Sequence, residues 1–211
     1  MKINEIYFSI QGESSWAGLP CIFIRLTGCN LRCSYCDSSF AYEEGKEYSV
    51  EEILKEISRF DCKLVEITGG EPLLQKDLYP LTKKLCDDGY QVLVETNGSI
   101  DIGGLDGRVV RIMDIKPPDS GSEMSTNWEN IKKLKKRDEV KFVISSKKDY
   151  LWAKDIIEKY SLIDKVGVLI SVAFGRLEPK DAVKWILKDG LKVRFQLQMH
   201  KYIWDPNTRG V

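Results

Sequence analysis

Histidine is almost absent from this chain of 211 residues: His200 is the only one. A zinc site of paired cysteines and histidines would therefore have to recruit distant residues. Net charge is absent as well, with 32 basic residues against 32 acidic ones. No bulk field draws the chain to nucleic acid or to a membrane surface, and neither is expected as a partner. No apolar run reaches the ~18 residues of a membrane span. The N-terminal "MKINEIYFSIQGE" turns polar too early for a signal peptide. The expected location is therefore the cytoplasm. There is no internal repeat and no low-complexity segment. Length and ordinary composition fit one domain over residues 1–211. The basic run "IKKLKKRDE" is expected to be a solvated face.

What the chain does have is a crowd of thiols. Cys29, Cys33 and Cys36 fall within the stretch "RLTGCNLRCSYCDSS". Cytosolic thiols stay reduced, so clustered cysteines point to metal binding or catalysis rather than disulfides. Cys21, Cys62 and Cys86 are expected to be small buried hydrophobes. Two readings fit the three clustered thiols. Structural zinc wants four protein ligands, and here a second pair is missing; only Cys21, Cys62 or His200 could complete the set. A 4Fe–4S cluster held by three thiolates keeps one iron open to a small molecule.

Apolar, β-branched runs alternate with amphipathic stretches. Strands are expected at "CIFIRLTG", "LVEITGG", "YQVLVETNG", "RVVRIMDIK", "VKFVISS", "VGVLISVAF" and "KVRFQLQMH". Helices are expected at "SVEEILKEISRF", opened by a Ser49–Glu52 capping box, and at "QKDLYPLTKKLCDDG", closed by Gly89. Three more are expected: "TNWENIKKLKKR" with a Thr126–Glu129 box, "KKDYLWAKDIIEKY", and "PKDAVKWILKDG" between Pro179 and Gly190. The alternation predicts an α/β fold of mainly parallel strands, several of them apolar on both faces. Sites in such folds gather at the carboxyl ends of the strands. "TGCNLRC", "TGGEP", "ETNG", "DIKPP" and "QMHKYIW" all lie there. "KPPDSGSEMS" is long enough to serve as a mobile cover.

The spacing Cys29-x-x-x-Cys33-x-x-Cys36, with Tyr35 before the last cysteine, resembles the signature of the radical S-adenosylmethionine enzymes. "TGGEP" resembles their methionine-binding turn; Gly70 would approach the cofactor closely and Glu71 would take up its ammonium. The longer string "FSIQGESSWAGLPCIFIRLTGCNLRCSYCD" is similar to the N-terminal region of the 7-carboxy-7-deazaguanine synthase family. That resemblance implies a partial, open (βα) barrel of the radical S-adenosylmethionine type. It also implies conversion of 6-carboxytetrahydropterin to 7-carboxy-7-deazaguanine with loss of ammonia, a step toward queuosine and archaeosine in transfer RNA. Implied cofactors are a 4Fe–4S cluster on Cys29, Cys33 and Cys36, S-adenosylmethionine, and magnesium at Ser38, where relatives usually carry threonine. Implied partners are the small pterin, a low-potential electron donor such as flavodoxin or ferredoxin, and a second copy of the chain as a homodimer.

By residue, the resemblance places Ile10, Gln11, Gly12, Arg25 and Thr68 on the substrate, with Pro206 as a further candidate near the C-terminus. Arg25 is a charge in an apolar strand, and its guanidinium matches a carboxylate. Gln11 would pair with the pterin edge. Tyr35, Cys36, Asp37, Gly70, Glu71, Asp114, Ile115 and Lys116 fall on S-adenosylmethionine positions; "DIK" keeps only the lysine of the Ser-Pro-Lys that many relatives show. Glu95, Asn97 and His200 face the same mouth without an assigned role. Two rival readings stand beside this one: an activase acting on a partner's glycine, and a metal-stabilised binding module.

Overall fold

The computed structural model describes all 211 residues and contains one nine-stranded sheet. Its strands are β1 (Lys2–Ile10), β2 (Pro20–Leu26), β3 (Lys46–Glu47), β4 (Leu64–Gly69), β5 (Gln91–Thr96), β6 (Val110–Asp114), β7 (Glu139–Ile144), β8 (Gly167–Val172) and β9 (Arg194–Phe195). Their order is β3-β1-β2-β4-β5-β6-β7-β8-β9. From β2 onward every pairing is parallel, whereas β1 lies antiparallel between β2 and β3. The sheet is open, as the family resemblance implies, and no helix is long and apolar enough to cross a membrane.

Helices α1 (Val50–Ile57), α2 (Leu78–Asp87), α3 (Lys147–Lys159), α4 (Leu162–Lys165), α5 (Pro179–Asp189) and α6 (His200–Ile203) complete the chain. The capping box of α1 is present: Ser49 Oγ accepts from Glu52 N at 3.1 Å, and Ser49 N donates to Glu52 at 2.8 Å. Pro80 sits in the first turn of α2, where its missing N–H has no helical partner to lose. Two apolar clusters cover the outer face. One joins α1 and α2 to β1, β2, β4 and β5; the other joins α3, α4 and α5 to β6, β7 and β8.

Three sequence expectations are corrected. The Thr126–Glu129 box does not form. Asn127 accepts from Glu129 N at 3.2 Å instead, and this short loop closes a single 3-10 turn over Trp128–Lys132. The last strand pairs only at Arg194–Phe195, because the chain then leaves the sheet edge to cross the mouth. The loop after β6 is no free cover: Ser120 is buried and accepts from Ser34 N at 3.0 Å, and Asp119 N donates to Asp149 at 2.9 Å. Within the basic run the lysines are exposed as expected, but Asp138 is buried and receives Arg111 N at 3.0 Å.

The inner face also departs from expectation. At its base Cys21, Phe23, Leu64, Leu93, Val110 and Ile112 form an apolar floor. Further along the same strands stand Arg25, Glu66, Thr68, Glu95 and Asp114, with Lys141 beside Asp114 on β7. The strands are thus apolar outward and polar inward at their carboxyl ends, above a dry base.

Candidate functional site

A cavity of about 680 Å³ opens at those carboxyl ends. That volume suits small-molecule sites, which run roughly 300–1,000 Å³. Cys29, Cys33 and Cys36 line it, together with Gly70, Glu95, Asn97, Lys116 and His200. The strand ends singled out in the sequence therefore do meet at one mouth.

The cysteine loop is held by its neighbours. Gly28 O accepts from Glu71 N at 2.7 Å, and Leu26 O from Gly70 N at 3.2 Å. Gly69 has φ +139°, a conformation L side chains avoid. A Cβ on Gly70 would stand 2.8 Å from Cys29 Cβ and would overlap Gly28 O. Glycine at 70 is therefore what lets the turn after β4 press onto the cysteine loop. On the outer side, Arg32 donates to Cys29 O at 2.8 Å and Leu31 O at 2.7 Å. Arg176, from the loop after β8, donates to Ser34 Oγ at 3.1 Å and also to Ser34 O. All six cysteines are free thiols. No three His, Cys, Asp or Glu side chains close on one point as the ligands of a single ion do. The three clustered thiols all line the cavity, and thiolates are the ligands that iron–sulfur clusters take.

Several expected contacts turn out to be used inside the protein. Glu71 does not open onto the cavity. Its carboxylate accepts from Leu73 N at 3.1 Å, Thr96 Oγ1 at 2.8 Å and Asn97 N at 2.7 Å. The ammonium-binding role read for this side chain is replaced by one that ties β4 to β5. Ile115 is also turned away, into the outer apolar cluster, so only its backbone is available. Tyr35 lines the cavity, but its hydroxyl donates to Val143 O at 2.8 Å. Asp37 accepts from Lys201 at 2.8 Å and Gln198 at 3.0 Å, which brings the C-terminal segment over the cysteine loop. Asp114 and Lys116 pair with each other at 2.8 Å.

On the other side of the cavity, Arg25 Nε donates to Glu5 at 2.7 Å and Nη2 to Tyr7 Oη at 2.9 Å. Nη1 has no protein partner, and the residue lines the cavity. Burial opposes the charge on Arg25, but Tyr7 and Glu5 hold the guanidinium above its ordinary value. Burial pushes the Tyr7 hydroxyl up to about 12. Thr68 donates to Glu95 at 3.3 Å. Gln11 is buried with its amide fixed at both ends: Oε1 accepts from Glu13 N at 2.9 Å, and Nε2 donates to Glu66. Gly12 lies against His200, which opens α6 rather than ending a strand. Burial lowers the His200 pKa below the ordinary imidazole value. Ile10 and Pro206 reach the cavity wall, Pro206 with the terminal residues through Val211. Ser38 Oγ makes no capping bond to the 3-10 turn it precedes; its neighbour is Cys36 Sγ at 3.8 Å.

The structure adds a buried charge cluster that motif reading missed. Lys141 Nζ meets Glu13 at 2.9 Å, Asp114 at 3.7 Å and Glu95. Burial opposes its charge, but the three carboxylates hold its pKa well above the ordinary lysine value. Burial, then the charge of Glu95, pushes the Glu66 carboxyl well above the carboxylate range. The available signal was alternation: Glu66 and Thr68 in "LVEITGG", and Lys141 in "EVKFVI", interrupt apolar runs at period two.

Comparison with known proteins agrees with this geometry. Residues 23–114 match the Radical SAM superfamily. The chain is similar to the 7-carboxy-7-deazaguanine synthase of Chlorobaculum tepidum, with 45% identity over 100% of this chain and 97% of that one. It is equally similar to the enzyme of that name from Koribacter versatilis, at 45% with 100% of each chain covered. Among solved structures, QueE from Escherichia coli shares the fold, with a TM-score of 0.75 and 22% identity over 92% of this chain and 93% of that one.

Proposed function

The chain belongs to the 7-carboxy-7-deazaguanine synthase family of radical S-adenosylmethionine enzymes, and from that premise we infer that it converts 6-carboxy-5,6,7,8-tetrahydropterin to 7-carboxy-7-deazaguanine with release of ammonia. The observation that carries the reading is one cavity that brings the three thiols, the Gly70 turn and Arg25 together. The family works with a 4Fe–4S cluster and S-adenosylmethionine, and the donor set suits them, since three thiolates leave one iron open. When bound, these cofactors would supply radical hydrogen abstraction, directed at carbon 6 of the pterin.

The chain's own work is to hold and to exclude. Cys29, Cys33 and Cys36 would hold the cluster. Gly70 lets the turn after β4 pack onto the cysteine loop at the edge of the space for S-adenosylmethionine, and Tyr35, Cys36, Asp37 and the Asp114–Lys116 pair border the same space. Arg25 would hold the substrate carboxylate through Nη1, with Glu5 and Tyr7 fixing the guanidinium plane. Ile10, Gln11, Gly12 and Thr68 shape the wall on which the pterin lies. The segment through Pro206 narrows the mouth, and the His200 imidazole stands beside Gly12. Orientation of this kind, so that one hydrogen faces the radical, is the protein's main contribution to rate. A homodimer and an external low-potential donor such as flavodoxin or ferredoxin belong to the same reading and rest on the family.

Titration of the wild-type protein with 6-carboxypterin, followed by ligand fluorescence, tests the small-molecule reading against the activase rival. Saturable one-to-one binding is expected; no binding at millimolar ligand would favour a protein substrate. In the same assay Arg25→Lys keeps the charge but loses the fork. It should weaken 6-carboxypterin binding by roughly 10- to 100-fold, the ~1.5–3 kcal/mol of a charge-assisted hydrogen bond. S-adenosylmethionine binding should stay unchanged, and equal loss of both ligands would mark Arg25 as structural.

Magnesium is the finer part of the proposal. Ser38 Oγ is free of a cap bond and lines the cavity, so it can give one oxygen to an octahedral ion that keeps waters and substrate oxygens. Ser38→Ala should lower turnover and flatten its dependence on added magnesium after chelation, whereas Ser38→Thr should preserve both. An undiminished magnesium response in Ser38→Ala would remove the residue from the ion's shell.

A further inference from the structure

Four carboxyl groups, those of Glu13, Glu66, Glu95 and Asp114, line the inner wall, and all but one have a cation. Glu13 and Glu95 both meet Lys141. Glu66 meets none. It is 4% exposed, and its Oε2 accepts from Gln11 Nε2. Its Oε1 has no protein partner, although the residue lines the cavity. That oxygen is open to the cavity, where a group carrying an N–H or O–H can meet it. Gln11 cannot turn to do so, because Glu13 N holds its carbonyl at 2.9 Å.

A ligand that carries N–H donors fits this acceptor in place of solvent. A pterin has such a face: its 2-amino group and N3–H are adjacent donors, and two carboxylate oxygens or the lone pairs of one accept them. Resting on the substrate reading above, we propose that Glu66 is the specificity-determining residue that reads the 2-amino, N3–H edge of the pterin, with Oε1 accepting from the 2-amino group. Gln11 is then a positioning residue, since it holds Oε2 and leaves Oε1 aimed at the ligand. Arriving N–H donors favour the ionised carboxylate, so a proton held by Glu66 in the empty cavity passes to solvent as the ligand docks.

The edge can be changed on either side of the contact. In 6-carboxylumazine the 2-amino group is replaced by an oxo group, an acceptor that faces Oε1 and repels it. In Glu66→Gln the amide oxygen stays on Gln11 Nε2 and an N–H faces the cavity, where a 2-oxo group accepts and a 2-amino group does not. The experiment measures anaerobic binding of 6-carboxypterin and 6-carboxylumazine, by ligand fluorescence, to wild type and to Glu66→Gln. Circular dichroism and cluster absorbance confirm that the variant is folded and loaded. Wild type should prefer the 2-amino ligand by at least about tenfold, and Glu66→Gln should abolish or reverse that preference. A variant that keeps the wild-type preference, or a wild type without one, overturns the assignment. Glu66→Asp, which retains the carboxylate on a shorter stem, should keep the direction of preference with weaker binding; a reversal there also counts against it. Turnover of the tetrahydropterin separates the two levels. A wild type that makes product yet shows no edge preference refutes the Glu66 assignment alone. A wild type that binds neither ligand and makes no product refutes the substrate reading with it.

Discussion

Alanine at Cys29, Cys33 or Cys36 is expected to abolish the cluster, whereas alanine at Cys21, Cys62 or Cys86 should leave iron and sulfide at wild-type levels. The contrast follows from placement. The first three thiols line the cavity within one loop. Cys21 lies in the apolar floor, where burial pushes its thiol far above the ordinary value and keeps it uncharged. Cys62 sits at the opposite end of the sheet, beside Pro20 O at 3.3 Å, and Cys86 is in the second half of α2. A metal ligand needs access to the site, and of the six thiols only the clustered three line the cavity. Iron, acid-labile sulfide and the reduced electron paramagnetic resonance signal of anaerobically reconstituted variants check this. A full cluster in Cys29→Ala combined with its loss in Cys21→Ala would show that the ligands have been misassigned.

Lys141→Met should be the most destabilising single change on the inner wall. The ammonium is buried and sits among Glu13, Glu95 and Asp114. Methionine fills similar volume but leaves three partly or fully buried carboxylates without their cation. Removing one partner of a buried ion pair costs about 3–5 kcal/mol. For a chain of this size each kcal/mol moves the melting temperature by about 2–4 °C, so a fall of roughly 10 °C is expected. Adding Glu95→Gln to Lys141→Met should restore part of the loss, because one stranded charge is then gone. A single variant that melts within a degree of wild type, or a double variant that loses stability additively, would mean that Lys141 does not compensate these groups.

Much of the site was legible because its signals are local. The cysteine spacing, the Gly69–Gly70 turn and the Ser49 cap each lie within a few residues of chain. The convergence of strand ends followed from the alternation of elements. The charge cluster was not legible in the same way. Glu13 and Lys141 are 128 residues apart, and Lys141 and Glu95 are 46 apart. Only the parallel register of β4 to β7 brings Glu66, Glu95 and Lys141 onto one wall. Local rules also failed where a neighbour competed. Asn127 took the cap that Thr126 was expected to make, leaving Thr126 Oγ1 buried without a partner. Glu71 looked free beside two glycines, yet the ends of β4 and β5 needed its carboxylate more than the cavity did. The final strand stopped early because β9 has a single neighbour, β8, and Gln198 and Lys201 find Asp37 across the mouth.

The central claim is that the cysteine-lined cavity contracts a carboxylated pterin ring. It is tested most directly by anaerobic incubation of the reconstituted, reduced protein with S-adenosylmethionine and 6-carboxy-5,6,7,8-tetrahydropterin, with product masses read by mass spectrometry. The account predicts 7-carboxy-7-deazaguanine and ammonia in equal amounts, both absent from the Cys33→Ala protein. A loaded cluster that cleaves S-adenosylmethionine while the pterin is recovered unchanged would contradict it.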